Sequence, residues 1–144
     1  APDDLLDELE QAKRLADDFS PALDQLAFAE LLRSGAYVSH LRRARTAYRR
    51  RRDRLVEALA RELPQLNAEG VAAGVHMVLR LPVGCDDAAV ARSASEVRIR
   101  VPPLSSFRIT PASPGGLVLG YGRLHEESVG LAVRALARVI RPHL

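Results

Sequence analysis

Apolar residues recur at helical spacing along the first 63 residues of the chain. They predict an amphipathic helix from about residue 3 to residue 19 and a second helix that opens at Ser20-Pro21. Ser20 is expected as the N-cap of this second helix and Pro21 as its first residue. A third and longest helix is predicted over about 37–63, where Pro64 ends it. The first half of the chain is therefore predicted to be almost entirely helical.

After residue 64 the period of the apolar positions changes from 3.6 to 2. Alternation predicts one strand over 75–81 and a second over 97–101, and a continuous apolar run predicts a third over 117–119. An Asp-Asp pair at 86–87 is expected to cap a short helix between the first two strands, and a last helix is predicted over about 126–140. The fold class is therefore α+β, with N-terminal helices followed by a small sheet of about three strands covered by helices.

Composition narrows the classes of protein that fit. The chain has 144 residues, 47% of them hydrophobic, and no apolar run approaches the roughly 18 residues of a membrane span. The N-terminus lacks a basic region followed by an apolar one, so we expect a cytoplasmic protein with no membrane partner. The single cysteine, Cys85, excludes an intrachain disulfide and any zinc site that needs two cysteines.

The basic residues are almost all arginine. Of the 21 Lys and Arg residues only one, Lys13, is a lysine. A Schiff base requires a lysine amine, and Lys13 lies on the polar side of the first predicted helix, where a solvated position is expected. The net charge of +3 permits a nucleic-acid partner without requiring one.

Four segments occur in an order and spacing that resemble a known family. They are QLAFAELLRSGAYVSHLRRARTAYRRRRDRL at 25–55, AGVHMVLRLP at 73–82, RVPPLSSF at 100–107 and GLVLGYGRL at 116–124. Together they resemble the C-terminal end of MocR-type transcriptional regulators of the GntR superfamily. Proteins of this type join an N-terminal winged helix-turn-helix to a domain resembling fold-type I aminotransferases, which bind pyridoxal 5'-phosphate (PLP).

The resemblance implies a division of the chain and a set of partners. Residues 64–144 would form the small C-terminal domain of the aminotransferase fold, and residues 1–63 would link it to a large domain that precedes it. The PLP lysine, the aspartate that pairs with the pyridine nitrogen and most phosphate ligands would lie in that upstream domain, so no cofactor-binding residue is expected in this chain. DNA would be bound only through the upstream winged helix-turn-helix. Because the chain begins with Ala1 in a helical pattern, we expect it to be a piece of a larger protein.

The resemblance also indicates residues near an effector or substrate pocket. Family aminotransferases bind the substrate carboxylate with an arginine at the start of the third small-domain strand, and the matching position here is Leu117. Arg108 and Arg123 are the arginines nearest in sequence that could replace it, or they are surface loop arginines. Gly74 and His76 match the start of the first small-domain strand, where His76 either faces the pocket or is a half-exposed strand histidine.

No catalytic or metal-binding residue is predicted in the chain itself. The serines at 105–106 lack a nucleophile-elbow motif, and no two histidines have the spacing of metal ligands. A dense arginine run allows two interpretations, a solvated helix or a phosphate contact with DNA. Its members are Arg42, Arg43, Arg45, Arg49, Arg50, Arg51, Arg52 and Arg54.

Three functions follow from these observations. The leading hypothesis is the C-terminal part of a PLP-dependent, aminotransferase-like transcriptional regulator, which shapes the effector pocket and is not catalytic alone. The alternatives are the C-terminal part of a true PLP-dependent aminotransferase and a free-standing basic interaction module. The sequence upstream of this chain discriminates the first two. The apolar stripes of the first three helices, without a large domain to cover them, predict a homo-oligomer.

Overall fold

The computed structural model describes residue 2 and residues 5–16, 21–70, 74–109 and 114–144. The fold is α+β, as predicted. The described elements are α1 (Leu6–Ala16), α2 (Ala22–Arg33), α3 (Ala36–Glu62), β1 (Ala68–Glu69), β2 (His76–Arg80), α4 (Asp87–Glu96), β3 (Gly116–Gly120) and α5 (Val129–Ile140), with 3₁₀ turns at Leu104–Phe107 and Arg141–His143.

Both ends predicted for the first helix lie outside the described residues, as does the predicted N-cap, Ser20. Pro21 was predicted as the first residue of this helix, but it occupies the N-cap position, and α2 begins at Ala22. The α3 helix agrees with the predicted span to within a residue at each end. The last helix begins at Val129 rather than near residue 126.

The chain divides into two compact units, Ala1–Arg42 and Arg43–Leu144. In the first unit α1 and α2 contain no buried residue. Gly35, with a φ of +72°, ends α2 and allows the chain to turn directly into α3. Across this turn the rings of Phe28 and Tyr37 meet edge to face, with centroids 5.4 Å apart.

The second unit is built around an antiparallel sheet in the order β1-β2-β3. On one face Met77 lies opposite Leu119, and Leu79 lies opposite Leu117. Alternate residues of a strand point to the same face of a sheet, so these four side chains share one face, and all four are buried. The helices complete this core with Leu55, Ala58 and Leu59 from α3, Val90 and Ala94 from α4, and Val129, Val133, Leu136, Ala137 and Ile140 from α5.

The sheet has three strands, but the strand predicted over 97–101 is wrong. Arg98 has a φ of +61°, which is incompatible with an extended run. The Ile99 amide donates to the Ala94 carbonyl (2.9 Å) and the Arg98 amide donates to the Ser95 carbonyl (3.0 Å). These two bonds form the Schellman motif that ends α4. The third strand of the sheet is instead the two-residue β1.

The division of the chain at Arg42 differs from the boundary predicted at Pro64. The second half of α3 supplies Leu55 and Leu59 to the core that the sheet and α5 share, so this half of the helix lies in the second unit. The spacing of apolar residues changes at Pro64, but which residues form one compact unit depends on which of them share a core. The limits 1–63 and 64–144 stay a prediction about the domains of a longer protein.

Candidate functional site

One face of the sheet is turned away from the core, and we call it the outer sheet face. It is formed by the alternate residues of β2 and β3, which are half-buried or exposed except for Gly116. The first and last residues of β3 are glycines, which have no side chain, and two valines, one from each strand, form the centre of this face. The cross-strand pairs on this face are His76 with Gly120, Val78 with Val118, and Arg80 with Gly116.

Gly74 is held in place by the residue that follows β3. The buried Tyr121 donates a hydrogen bond from its hydroxyl to the Gly74 carbonyl (2.7 Å) and from its amide to the Val75 carbonyl (2.8 Å). A side chain at Gly122 would begin 3.4 Å from Val75, so the two segments pack closely. The segment that leads into β2 is therefore held against the C-terminal end of β3.

His76 lies at the same end of the outer sheet face and is exposed. A side chain at its partner Gly120 would begin 3.3 Å from the His76 ring, so glycine leaves room for the imidazole. His76 lines a cleft of about 30 Å³ together with Arg52, Glu69 and Tyr121. A cleft of this size holds about one water molecule. The imidazole is thus placed beside polar and charged groups at a small opening.

Leu117 does not reach the outer sheet face, because its side chain is fully buried in the core with 0% exposure. The alternation along β3 gives that place to Val118, which pairs with Val78. The sequence contains a signal for this arrangement, since the segment GLVLG alternates two core leucines with a valine between glycines. Val118 is a pocket candidate that the sequence analysis missed.

The two candidate arginines lie at opposite ends of β3. Arg108 donates to the Pro114 carbonyl (3.1 Å), two residues before the strand begins. Arg123 is exposed in the turn that follows Gly122. The five residues of β3 separate these ends by about 14 Å. The structure thus brings Gly74 and His76 to one end of the strand and places Arg108 at the other.

Asp87 is a second residue that the sequence analysis did not single out for its buried role. Its side chain is 4% exposed, and it joins α4 to two other segments. One carboxylate oxygen accepts from the Ser105 hydroxyl (2.6 Å), and the other accepts from the amides of Ser105 and Gly116, both at 3.0 Å. The neighbouring Asp86 fills the predicted cap role, since its side chain accepts from the amides of Ala88 and Ala89.

The environment of Asp87 favours the charged carboxylate. Burial by itself would raise the pKa of Asp87. The Ser105 hydroxyl, the Gly116 and Ser105 amides and the nearby Arg108 charge outweigh burial, so the pKa of Asp87 lies below its ordinary value. Asp87 therefore fixes the turn at Leu104–Phe107 and the start of β3 as an anion. For Cys85, burial and the two adjacent aspartates raise the pKa, so this thiol is not an activated nucleophile.

Some members of the arginine run make specific contacts inside the second unit. Arg51 donates to the Gly122 carbonyl, and its guanidinium lies 5.8 Å from the centre of the Tyr48 ring. Arg54 pairs with Glu126 at 3.2 Å. These contacts join α3 to the turn that follows β3. Arg51 and Arg54 are therefore held by contacts within the second unit.

The sequence holds one side-chain amine that could form a Schiff base with PLP, that of Lys13, and Lys13 is an exposed residue of α1. Among the described residues no three His, Cys, Asp or Glu side chains come together as metal ligands would. Within that same part of the chain, no helix combines the length and the apolar character needed to cross a membrane.

Comparisons with known proteins relate the chain to two kinds of protein. It is 27% identical over 142 residues to the HTH-type transcriptional regulator YhdI of Bacillus subtilis, covering 98% of this chain and 30% of the relative. It is 31% identical over 137 residues to the 2-aminoadipate transaminase of Thermus thermophilus, covering 94% of this chain and 34% of the relative. The chain thus spans about a third of the curated relatives it matches. No family model matches it.

Solved structures give the same relationship at the level of fold. The α-aminoadipate aminotransferase LysN of Thermus thermophilus, complexed with N-(5'-phosphopyridoxyl)-L-leucine, superposes with a TM-score of 0.84 at 30% identity, covering 99% of this chain and 36% of LysN. The kynurenine aminotransferase of Pyrococcus horikoshii superposes at 0.87 with 21% identity, covering 99% of this chain and 35% of that one. The chain therefore has the fold of the C-terminal region of fold-type I aminotransferases, and its homologues include both an HTH-type transcriptional regulator and PLP aminotransferases.

Proposed function

We propose that this chain is the C-terminal part of a cytoplasmic, PLP-dependent, aminotransferase-like transcriptional regulator of the MocR type. Upstream portions of the protein bind PLP and, through a winged helix-turn-helix, DNA. Residues 64–144 act as the small domain and residues 1–63 as its link to the large domain. The outer sheet face forms one wall of the effector pocket.

The observation that carries this proposal is the side-chain content of β3. Its two leucines lie in the core, and only Val118 projects between Gly116 and Gly120 on the outer sheet face. No guanidinium on this strand can form the two-pronged ion pair that an amino acid carboxylate favours. A pocket with this wall suits an effector whose contact here is apolar. Gly74 and His76 contribute the polar edge of the same wall, while Arg108 and Arg123 flank the strand at its two ends.

The alternative is a true aminotransferase. The 31% identity to 2-aminoadipate transaminase over 94% of the chain favours it. In that case Arg108 or Arg123 supplies the carboxylate contact that β3 lacks. This function differs from the first in what precedes the chain and in whether the whole protein turns over amino acids.

The test begins with the full gene product that contains this chain. A regulator is expected to carry a winged helix-turn-helix upstream, to show the visible aldimine band of bound PLP, and to turn over neither 2-aminoadipate nor other amino acids. A protein that begins directly in the aminotransferase fold and converts 2-aminoadipate to its oxo acid would establish the alternative.

The 144-residue chain by itself provides a second measurement. PLP added to it should give no aldimine band beyond that of a Lys13→Arg variant, which keeps the charge but cannot form the aldimine. A band that is present in the native chain and lost in this variant would contradict the assignment of the cofactor amine to the upstream domain.

A further inference from the structure

The seven arginines of the run that belong to the second unit divide into two groups on α3. Arg51 and Arg52 are half-buried, and Arg51, Arg52 and Arg54 contact Gly122, Asp53 and Glu126. The other four of these arginines are exposed and form no ion pair with any described residue. We call these four the arginine face, and they are Arg43, Arg45, Arg49 and Arg50.

The arginine face lies on the side of α3 away from the core. At 100° per residue, the buried residues Leu55, Ala58 and Leu59 mark the core side, and the four arginines occupy roughly 160° of arc opposite to it. From Arg43 to Arg50 they extend for about 10 Å along the helix axis. A positive strip of this length corresponds to about six phosphate charges of duplex DNA when both strands are counted, or about three along one strand.

The charge of the arginine face is not balanced along the chain. No acidic residue occurs between Glu30 and Asp53, and Asp53 itself pairs with Arg52. A helix surface that serves solubility alone intersperses both signs, with acids placed three or four residues from bases.

We propose that the arginine face is a second DNA contact, which binds the phosphate backbone of a duplex without reading its sequence. The choice of DNA among polyanions rests on the proposed function as a transcriptional regulator. A duplex fits better than single strands, because Tyr48, the one aromatic residue between Arg43 and Arg50, is half-buried against the core beside Arg51 and is not free to stack on bases.

The test measures binding of the 144-residue chain to a fluorescent duplex of arbitrary sequence, by anisotropy, between about 50 and about 200 mM salt. A variant with Arg43, Arg45, Arg49 and Arg50 changed to Gln removes the arginine face. A matched control changes four other exposed arginines, Arg61, Arg100, Arg134 and Arg138, to Gln, and lowers the net charge equally, from +3 to −1. A variant with Lys at the four positions of the arginine face keeps the charge.

Each phosphate contact contributes about 0.9 to the slope of log K against log salt, so the Gln variant of the arginine face should have a slope shallower by up to about 3.6. The matched control and the Lys variant should keep most of the native slope. Equal losses in the Gln variant and the matched control would overturn the proposal, because binding would then follow net charge alone. Binding of poly-glutamate with no binding of the duplex would also overturn it, and would assign an acidic protein partner.

Two further measurements keep the result interpretable. Circular dichroism compares the helical content of the variants, and the pairs Arg43/Arg45 and Arg49/Arg50 are changed separately if the fourfold variant unfolds. Half of the slope change is then expected from each pair. The outcome is distinguishable from failure of the proposed function, which depends on the upstream sequence and on PLP. Loss of DNA binding by this chain would leave that function intact.

Discussion

At the scale of single residues, Asp87 shows how hydrogen-bond donors stabilise a buried carboxylate. Three donors converge on its carboxylate from Ser105 and Gly116, and they come from segments 18 and 29 residues away. A sequence pattern identifies Asp86-Asp87 as a helix start but does not reveal which aspartate points inward. The inward position follows from contacts that exist only after the strand and the turn are in place.

Replacing Asp87 tests this role. We expect Asp87→Asn to lower the free energy of unfolding by about 1.5–3 kcal/mol at pH 7, because an amide cannot accept all three bonds that the anion accepts. Urea denaturation measures the loss. The matched variant Asp86→Asn should stay close to the native protein, since Asn is an equally good N-cap. Equal losses in both variants would contradict the buried role of Asp87.

The direction of the Asp87 pKa shift determines how the stability of the protein changes with pH. Because the folded-state pKa of Asp87 lies below its ordinary value, the unfolded state binds the proton more readily, and the stabilisation from the carboxylate is fully present above the ordinary pKa of about 3.9. It is lost as the pH falls through the folded pKa. The difference in stability between the native chain and Asp87→Asn should therefore shrink below about pH 4. A difference that stays constant under acid would argue against an anionic Asp87.

At the scale of elements, the segment 97–101 was predicted as a strand because its apolar residues alternate. The same alternation arises when a helix ends in a Schellman motif and the chain continues extended into Pro102-Pro103. Local periodicity cannot separate these cases, because it does not record the sign of φ. The strands β2 and β3 were predicted correctly, the first from its alternation and the second from its continuous apolar run, and in both strands one face is buried in the core.

The helix end at Arg98 gives an element-scale prediction. Arg98→Gly should stabilise the protein by about 0.5–1 kcal/mol, because glycine adopts a positive φ without the steric penalty that a side chain causes. The greater conformational freedom of glycine in the unfolded chain offsets only part of this gain. Thermal unfolding measures the change. Arg100→Gly, where φ is not positive, should instead destabilise, and stabilisation by both variants would contradict the explanation.

At the scale of the whole molecule, the first unit has exposed apolar side chains that isolated globular proteins seldom leave in contact with water. Leu15 is 84% exposed and Leu23 is 82% exposed, and α1 and α2 contain no buried residue. Exposed apolar surface of this extent indicates a protein-protein contact. Such a contact agrees with a chain that spans about a third of its relatives.

Self-association of the chain alone is therefore expected in sedimentation velocity experiments. The double variant Leu23→Gln, Leu26→Gln should weaken it at least about tenfold, because burying a leucine contributes about 1.5–3 kcal/mol. A matched control, Val83→Gln with Leu131→Gln, changes two exposed apolar residues of the second unit and should leave association nearly unchanged. A monodisperse monomer at high concentration would contradict the prediction.

The sequence by itself determined the helices, the strands β2 and β3 and the apolar core, because each depends on the spacing of apolar residues within a short stretch of chain. It also indicated the aminotransferase-like fold and Gly74 and His76 as pocket candidates. Only the tertiary structure decided that Leu117 faces the core and Val118 the outer sheet face, that Asp87 is buried, and which arginines of α3 are paired. These features depend on contacts between segments far apart in the chain, which a local pattern does not contain.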